Sequence, residues 1–542
     1  MLQKFILILI CGLLFNSKSF SQEFQSSVLN YLKAGTGEEN YGEGGAVGIR
    51  DKKFYENVTD LRIFIPSFSF GLRFEKSNPP EFGIPRNGII KKFVSYENNG
   101  LSLRAGSVNE LFSKGLSLNL FENRSLAFDT GIDGLKAIYE NNNLNLKFIT
   151  GKLKYLEPLT LFEVNERYEY YNLTGAFAEN KITDKIKLSG SVIYSKGDLL
   201  NESTTKNEAV KSILPEVGIN FEFDNFSFLT SVAYKFSEVN NKNFSGTGIY
   251  SSLQHYSDWY GIVFEYKNYL FDDVAPEERN NFKRPTRALP FQNPPIVHKE
   301  HSYTTLQRYP HVVDFNDEVG WQIDAFFSIL DQTTLNFNFA QSSRHNEFEI
   351  VKETWSSTKL NSAPLIFPSF KNVYSPFNEV FFEVEHFFKG EENYFKSAIN
   401  RREEIIYDIF NPLIKTQPLK TLSVPFELQY ILSDNYSFKT NIETQWVTKF
   451  PINKEYRNNF ITLQITKSLV YNFGVRYEIT TSSNEPNNEK NWLVFESSIR
   501  IGKNNTLLVS YGKERGGQIC SNGICRTQLP FSGARIALTS AY

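Results

Sequence analysis

The feature that most restricts this chain is a two-residue alternation at its carboxy-terminus, Phe531 to Tyr542, ending on an aromatic residue. Ala534, Ile536, Leu538 and Tyr542 fall on one side of an extended strand, with Arg535, Thr539 and small residues on the other. Successive side chains of a strand point to opposite faces, so such a segment can separate two solvents. The pattern recurs upstream. Val424, Phe426, Leu428, Tyr430 and Leu432 share a face opposite Glu427 and Gln429. After the turn Ser433-Asp434-Asn435, Phe438, Ile442 and Trp446 oppose Lys439, Asn441, Glu443 and Gln445. Ile461, Leu463 and Ile465, then Tyr471, Phe473, Val475 and Tyr477, repeat the plan against Gln464, Asn472, Arg476 and Glu478. Short Asn, Asp and Gly turns between such runs are hairpin chemistry.

A soluble β-sandwich or propeller also buries one face of each strand. Two features favour a membrane instead. The terminal strand resembles the signal read by the bacterial outer-membrane assembly machinery. At the other end, Lys4 precedes the apolar run Phe5 to Phe15, followed by Asn16, Ser17 and Lys18. Ser19-Phe20-Ser21 then supplies small residues for cleavage after Ser21, which makes residues 1–21 a secretory signal peptide. Cys11 lies inside the apolar run and lacks the surroundings of a lipidated cysteine. No later segment reaches the ~18 uninterrupted apolar residues of a membrane helix. With 49 Phe and 28 Tyr in a chain that is only 41% hydrophobic, an apolar surface must be assembled from strand faces. The expected fold is all-β, a transmembrane antiparallel barrel of about 22–24 strands with long extracellular loops.

Connection lengths orient it. Tight turns fall near Asn98, Asn142, Thr183, Asn225, Asp331, Asp434 and Asn504, separated by longer connections near 77–89, 110–130, 198–212, 272–316, 344–377, 401–420 and 514–530. Outer-membrane barrels have short periplasmic turns and long outside loops. The domain reading is residues 22–53 as an amino-terminal segment holding a first strand, within Gly44 to Arg50, and 54–542 as the barrel. The Gly-rich run Gly35 to Gly48 lacks the Lys-Ser/Thr of a phosphate loop and reads as a turn.

A barrel of this size has a lumen too wide for side chains alone to fill. TonB-dependent transporters close theirs with an amino-terminal plug domain, and 22–53 is too short for one. The occluding candidates are internal. Phe271 to Phe315 is the longest irregular stretch and carries six prolines; its Arg279, Lys283, Arg284 and Arg287 are the expected constriction residues. Asn109 to Asp129 is either an inward constriction loop or one more hairpin. Lys439, Glu443, Arg476 and Glu478 are the expected lumen residues.

Catalytic and metal chemistry find little support. His298, Glu300, His301 and His311 sit together, but a Pro-rich loop does not align His298 with His301 as zinc ligands, so the reading is a packed loop with no metal. Asp129 and Asp133-Gly134 read as turn residues. No serine lies in a nucleophile elbow, and neither an enzyme nor a cofactor is expected. Cys520 and Cys525 are the cysteines left after signal removal and are expected to form a disulfide. With 58 basic against 60 acidic residues, nothing marks a nucleic-acid partner.

Four stretches resemble an uncharacterised outer-membrane β-barrel family of Bacteroidota, a domain-of-unknown-function family. They are Tyr55 to Phe74, Gly106 to Tyr139, His301 to Gln322 and Gly516 to Tyr542. The resemblance implies an outer-membrane location and a barrel, without substrate or catalytic residues. The expected function is a channel for passive or gated passage of small solutes or saccharides. The alternative is a non-conducting scaffold for a surface secretion, motility or nutrient-uptake complex. Expected partners are outer-membrane lipid, the barrel assembly machinery during biogenesis, with Tyr542 as its signal, and surface proteins.

Overall fold

The computed structural model describes residues 24–41, 48–156, 168–201, 206–239, 241–271, 289–351, 356–362, 366–389, 392–406, 417–449 and 454–542. The signal-peptide reading and Arg279, Lys283, Arg284 and Arg287 lie outside them.

The alternating segments form one 24-stranded antiparallel sheet. Its strands are β1 Gln25–Tyr41, β2 Gly48–Ile65, β3 Phe68–Ser77, β4 Asn87–Asn98, β5 Leu101–Val108, β6 Ile132–Glu140, β7 Leu144–Leu156 and β8 Tyr168–Thr183. They continue with β9 Ile186–Asn201, β10 Lys206–Phe223, β11 Phe226–Val239, β12 Lys242–Ser257, β13 Tyr260–Leu270, β14 Glu318–Leu330, β15 Thr333–Ser343 and β16 Phe377–Phe388. The last eight are β17 Asn393–Ile406, β18 Gln417–Ser433, β19 Tyr436–Lys449, β20 Tyr456–Lys467, β21 Tyr471–Thr480, β22 Asn491–Ile501, β23 Asn505–Glu514 and β24 Phe531–Ala541. β24 pairs with β23 on one side and with β1 on the other, Leu29 to Glu39 lying opposite Ala541 to Phe531, so the sheet closes on itself. Every strand of the ring is paired with a neighbour on each side, the condition for strands to cross hydrocarbon. Among the described residues no helix is long and apolar enough to cross a membrane.

The first strand is not where the sequence placed it. It runs from Gln25 to Tyr41, not within Gly44 to Arg50, and Gly35 and Gly37 are strand residues at the seam, not a turn. A Cβ on Gly37 would lie 2.2 Å from the Ser532 carbonyl oxygen. Gly37 marks the close approach of β1 to β24, and Gly35 leaves room for the Phe54 ring of β2. The long connection expected at 198–212 is also corrected, because β9 extends to Asn201 and β10 begins at Lys206. Roughly 9–11 residues cross a bilayer; β10 has 18. The excess extends past the bilayer, where an outward residue needs no apolar side chain and the alternation is lost.

The tight turns expected at Asn98, Asn142, Thr183, Asn225, Asp331, Asp434 and Asn504 all fall on one rim, and the long loops on the other. Outward positions form an apolar band. Ile461, Leu463 and Ile465 are 38%, 48% and 45% exposed on consecutive outward positions of β20. Leu463→Arg is expected to cost ~2–4 kcal/mol at midplane depth, with Gln464→Arg on the opposite face far milder; equal losses in a folding titration would refute the face assignment. Tyr542 closes the seam, since its backbone N–H and carbonyl both bond Val28 (2.8 and 2.7 Å), while its ring stays exposed. Tyr542→Asp should reduce the amount of folded, membrane-embedded barrel severalfold, seen as loss of the heat-modifiable gel band.

Candidate functional site: a lumen closed by two inward loops

On the long-loop rim the chain after β5 turns into the lumen instead of away from it. Asn109 to Asp129 is neither a further barrel hairpin nor a plain turn, but an inward fold of two short bridges, Glu110–Leu111 with Asn119–Leu120 and Glu122–Asn123 with Phe128–Asp129. Its apolar residues decide this. Phe112, Leu116, Leu118 and Leu126 are fully buried, with Leu120 and Phe128 nearly so. Most of this set packs on inward residues of β7 to β10, among them Ile149, Leu153, Tyr171, Leu173, Phe177, Ile193 and Leu214. This sector of the inner wall is apolar because it receives the loop. Polar groups are met as well. Glu110 pairs with Lys136 and Lys147 at 3.0 and 2.8 Å, Glu122 with Arg73 and Lys91, and Ser117 N–H and Oγ donate to Glu216. Asp129, read from sequence as a turn residue, pairs with Lys91 at 2.9 Å, and Asp133 lies within β6.

The second inward segment, 289–317, is the latter half of the Pro-rich stretch. It meets the first directly. Asn119 N–H donates to the Phe291 carbonyl at 2.8 Å, Asn119 Nδ2 to that of Asn293 at 3.1 Å, and Gln292 Nε2 to that of Leu116 at 3.0 Å. Gly115 makes the approach possible; its φ is +88°, and a Cβ there would lie 2.8 Å from the Asn293 carbonyl oxygen. Beyond Pro295 the segment crosses to the opposite wall, where polar anchors join the apolar contacts of Val297, Tyr303 and Leu306. Lys267 and Tyr269 of β13 donate to the carbonyls of Ile296 and Pro295. Tyr303 donates to Glu383 at 2.6 Å. Glu443, 1% exposed, accepts from Thr304 N–H, Thr305 N–H and Thr305 Oγ1 at 3.1, 2.7 and 2.8 Å. Gln445 Nε2 donates to the Thr305 carbonyl at 2.7 Å. Arg308 bridges Glu478 and the Gly516 carbonyl, and Tyr309 meets Tyr456 at 2.9 Å.

The histidines belong to the same set of anchors. His311 Nδ1 lies 2.8 Å from Glu404 and its Nε2 3.2 Å from Glu318. Burial opposes charge on His311, but these two carboxylates outweigh it and raise the pKa above the usual histidine value. Burial, with His311 beside it, pushes His298 down to about 3, so that ring is neutral. His301 Nε2 lies 3.3 Å from Glu379. Among the described residues no group of three or more His, Cys, Asp or Glu is arranged to hold a metal ion.

Of the four residues expected to face the lumen, Glu443 and Glu478 grip the second segment. Lys439 pairs with Glu427 at 2.9 Å, and Arg476 with Glu514 and Glu496 at 2.9 and 3.2 Å. Cys520 and Cys525 are joined by a disulfide in the hairpin Gly517–Ser521 with Ile524–Gln528. Asn293 Nδ2 donates to Asn522 at its tip. Sequence reasoning missed Glu318, Glu379, Glu383 and Glu404. The available signal was a carboxylate recurring on inward positions of β14, β16 and β17, three of the four near the long-loop ends. From Arg73 on β3 and Lys91 on β4 round to Glu478 on β21, the two segments touch the wall on both halves. The connection between β3 and β4 reaches the rest through Glu81, which pairs with Lys33 and Arg535.

The comparisons add fold likeness only. The copper transporter OprC shares 9% identity at a TM-score of 0.45, over 97% of this chain and 82% of that one. The siderophore receptor PirA from Pseudomonas aeruginosa shares 7% at 0.46, over 97% and 81%. The P pilus usher (PapC) translocation pore shares 8% at 0.42, over 95% and 99%. No curated protein sequence is a match. The chain matches over residues 2–542, and so belongs to, the family of unknown function DUF6029.

Proposed function

We propose that the protein is an outer-membrane barrel for gated passage of small solutes or saccharides, closed at rest by its own loops. One observation carries this reading, the unequal attachment of the two inward segments. Residues 109–131 are held by buried Leu and Phe side chains, each worth ~1.5–3 kcal/mol. Residues 296–317 bury fewer apolar side chains, chiefly Val297, Tyr303, Leu306 and Val313, and lean more on hydrogen bonds and ion pairs, which contribute about 0.5–1.5 kcal/mol net when neutral and about 1.5–3 kcal/mol when charged. The second segment can therefore leave the wall one contact at a time while the first stays docked and the barrel stays paired. Mixed charge along the path, Lys439 and Arg476 among Glu427, Glu496 and Glu514, suits uncharged solutes better than one ion type.

The number of anchors around the wall favours a second reading, a permanently closed scaffold for a surface complex. Planar-bilayer recording separates the two. The gated reading expects a closed baseline with intermittent openings, and Arg308→Ala, which frees the segment from Glu478 and Gly516, should lengthen the open time severalfold. Silence from both proteins would favour the scaffold. Location is checked separately, by recovery of a mature chain cleaved after Ser21 in the outer-membrane fraction; a soluble periplasmic product would contradict it.

A further inference from the structure

The inward turn of residues 109–131 leaves a notch in the barrel wall. β4 is paired with β5 only as far as Phe93, opposite Gly106, and β7 with β6 only as far as Leu153, opposite Ile132. Residues 87–92 and 154–156 therefore flank a gap where the intervening chain has left the wall. β5 and β6 have 8 and 9 residues. Roughly 9–11 are needed to cross a bilayer, so β5 falls short, β6 only just spans, and the gap opens at the margin of the leaflet nearest the long loops. A cavity of ≈ 810 Å³ occupies it.

The charges around this cavity are unevenly satisfied. At its back, Arg73 pairs with Asp60 and Glu122, and Lys91 with Glu122 and Asp129. Nearer the lipid, Lys92 and Lys152 have no carboxylate partner among the described residues, and Lys154 lies 3.8 Å over the Tyr168 ring. Lys92 stands opposite the exposed Leu72, on the outward face. Asp133 is the cross-strand partner of Lys152, with no ion pair between them. Beside these cations Ile89 is 58% exposed and Ile90 36%. An outward lysine at bilayer depth is costly, by up to ~2–4 kcal/mol at the midplane, unless an anion meets it. Three cations around one gap, edged by isoleucines, match an amphiphile with a phosphorylated head.

We propose that this lateral notch binds the phosphorylated headgroup of an outer-leaflet lipid, with Lys92, Lys152 and Lys154 on the phosphate oxygens and Ile89 and Ile90 against the acyl chains. The proposal rests on the outer-membrane reading above. Its test uses the full-length protein in phosphatidylcholine nanodiscs doped with diphosphorylated lipid A, with retained lipid A counted by native mass spectrometry. Unaltered protein should retain it. The triple variant Lys92→Gln, Lys152→Gln and Lys154→Gln should lose it at least about tenfold, because charge-assisted contacts are removed, while the corresponding Lys→Arg triple keeps it. Equal retention by unaltered and Gln-substituted barrels, both with normal heat-modifiable mobility, would overturn the site. Displacement of lipid A by millimolar inorganic phosphate would show that the notch takes a soluble phosphate, and the lipid assignment falls. Failure of the unaltered protein to insert would instead strike the outer-membrane reading, and this one with it.

Discussion

Replacing residues 296–316 by a short Gly/Ser linker is expected to raise single-channel conductance from near zero to that of an open pore. The barrel itself should stay folded. None of the replaced residues takes part in the 24-strand ladder, so no strand pairing is lost. The wall residues left behind, including Glu383, Glu404, Glu443 and Glu478, lose buried partners but gain water in the opened lumen, which removes the penalty of an unpaired buried charge. Planar-bilayer recording, with heat-modifiable mobility as the folding control, checks this. A folded deletion with unchanged, near-zero conductance would turn the account towards a scaffold.

Phe112→Ala is expected to have the largest single-site effect on stability, ~3–5 kcal/mol. Phe112 is fully buried, its ring lies 5.5 Å from that of Phe177, and it belongs to the cluster that joins the first inward segment to the wall. The lost methylene and ring contacts leave a cavity that the rigid barrel wall cannot collapse to fill. The loss should show in the midpoint of urea unfolding. It should also appear as leak conductance, because loosening the first segment unseats Asn119 from Phe291 and Asn293. A loss below about 1 kcal/mol would mean that this cluster does not hold the loop, since full burial of a Phe alone is worth more than that.

Much of the barrel is legible in the sequence because membrane strands must satisfy lipid on one side and water on the other. β18 to β21 show it most clearly. Tyr430, Ile442, Leu463 and Val475 alternate with Gln429, Glu443, Gln464 and Arg476, and the structure keeps every one of those faces. Legibility fails where one of the two solvents is missing. β9 and β10 run on past the length needed to cross the bilayer, and the sequence around 198–212, freed from a lipid-facing stripe, reads as a loop. At the seam, close packing replaces both solvents, and Gly35 and Gly37 read as a turn. On the inner wall of β7 to β10 protein replaces water, so Leu153, Tyr171, Leu173 and Ile193 break the expected polar rule. The site was visible only in outline. The Leu-rich and Pro-rich loops stand out by composition, but which strand carboxylate each would meet depends on register around a closed sheet. Glu443 was found because it lies in a clean alternating run; Glu318 and Glu404 were not, because they sit at strand ends beside long loops.

The second inward segment is the part of the closure expected to move. A bismaleimide cross-link between cysteines introduced as Thr305→Cys and Gln445→Cys tests it most directly, since this pair joins the second segment to β19 and the native Cys520 and Cys525 are already bonded to each other. In planar bilayers, intermittent openings are expected before cross-linking and a silent barrel after it. Openings that persist unchanged once the link is complete would contradict it.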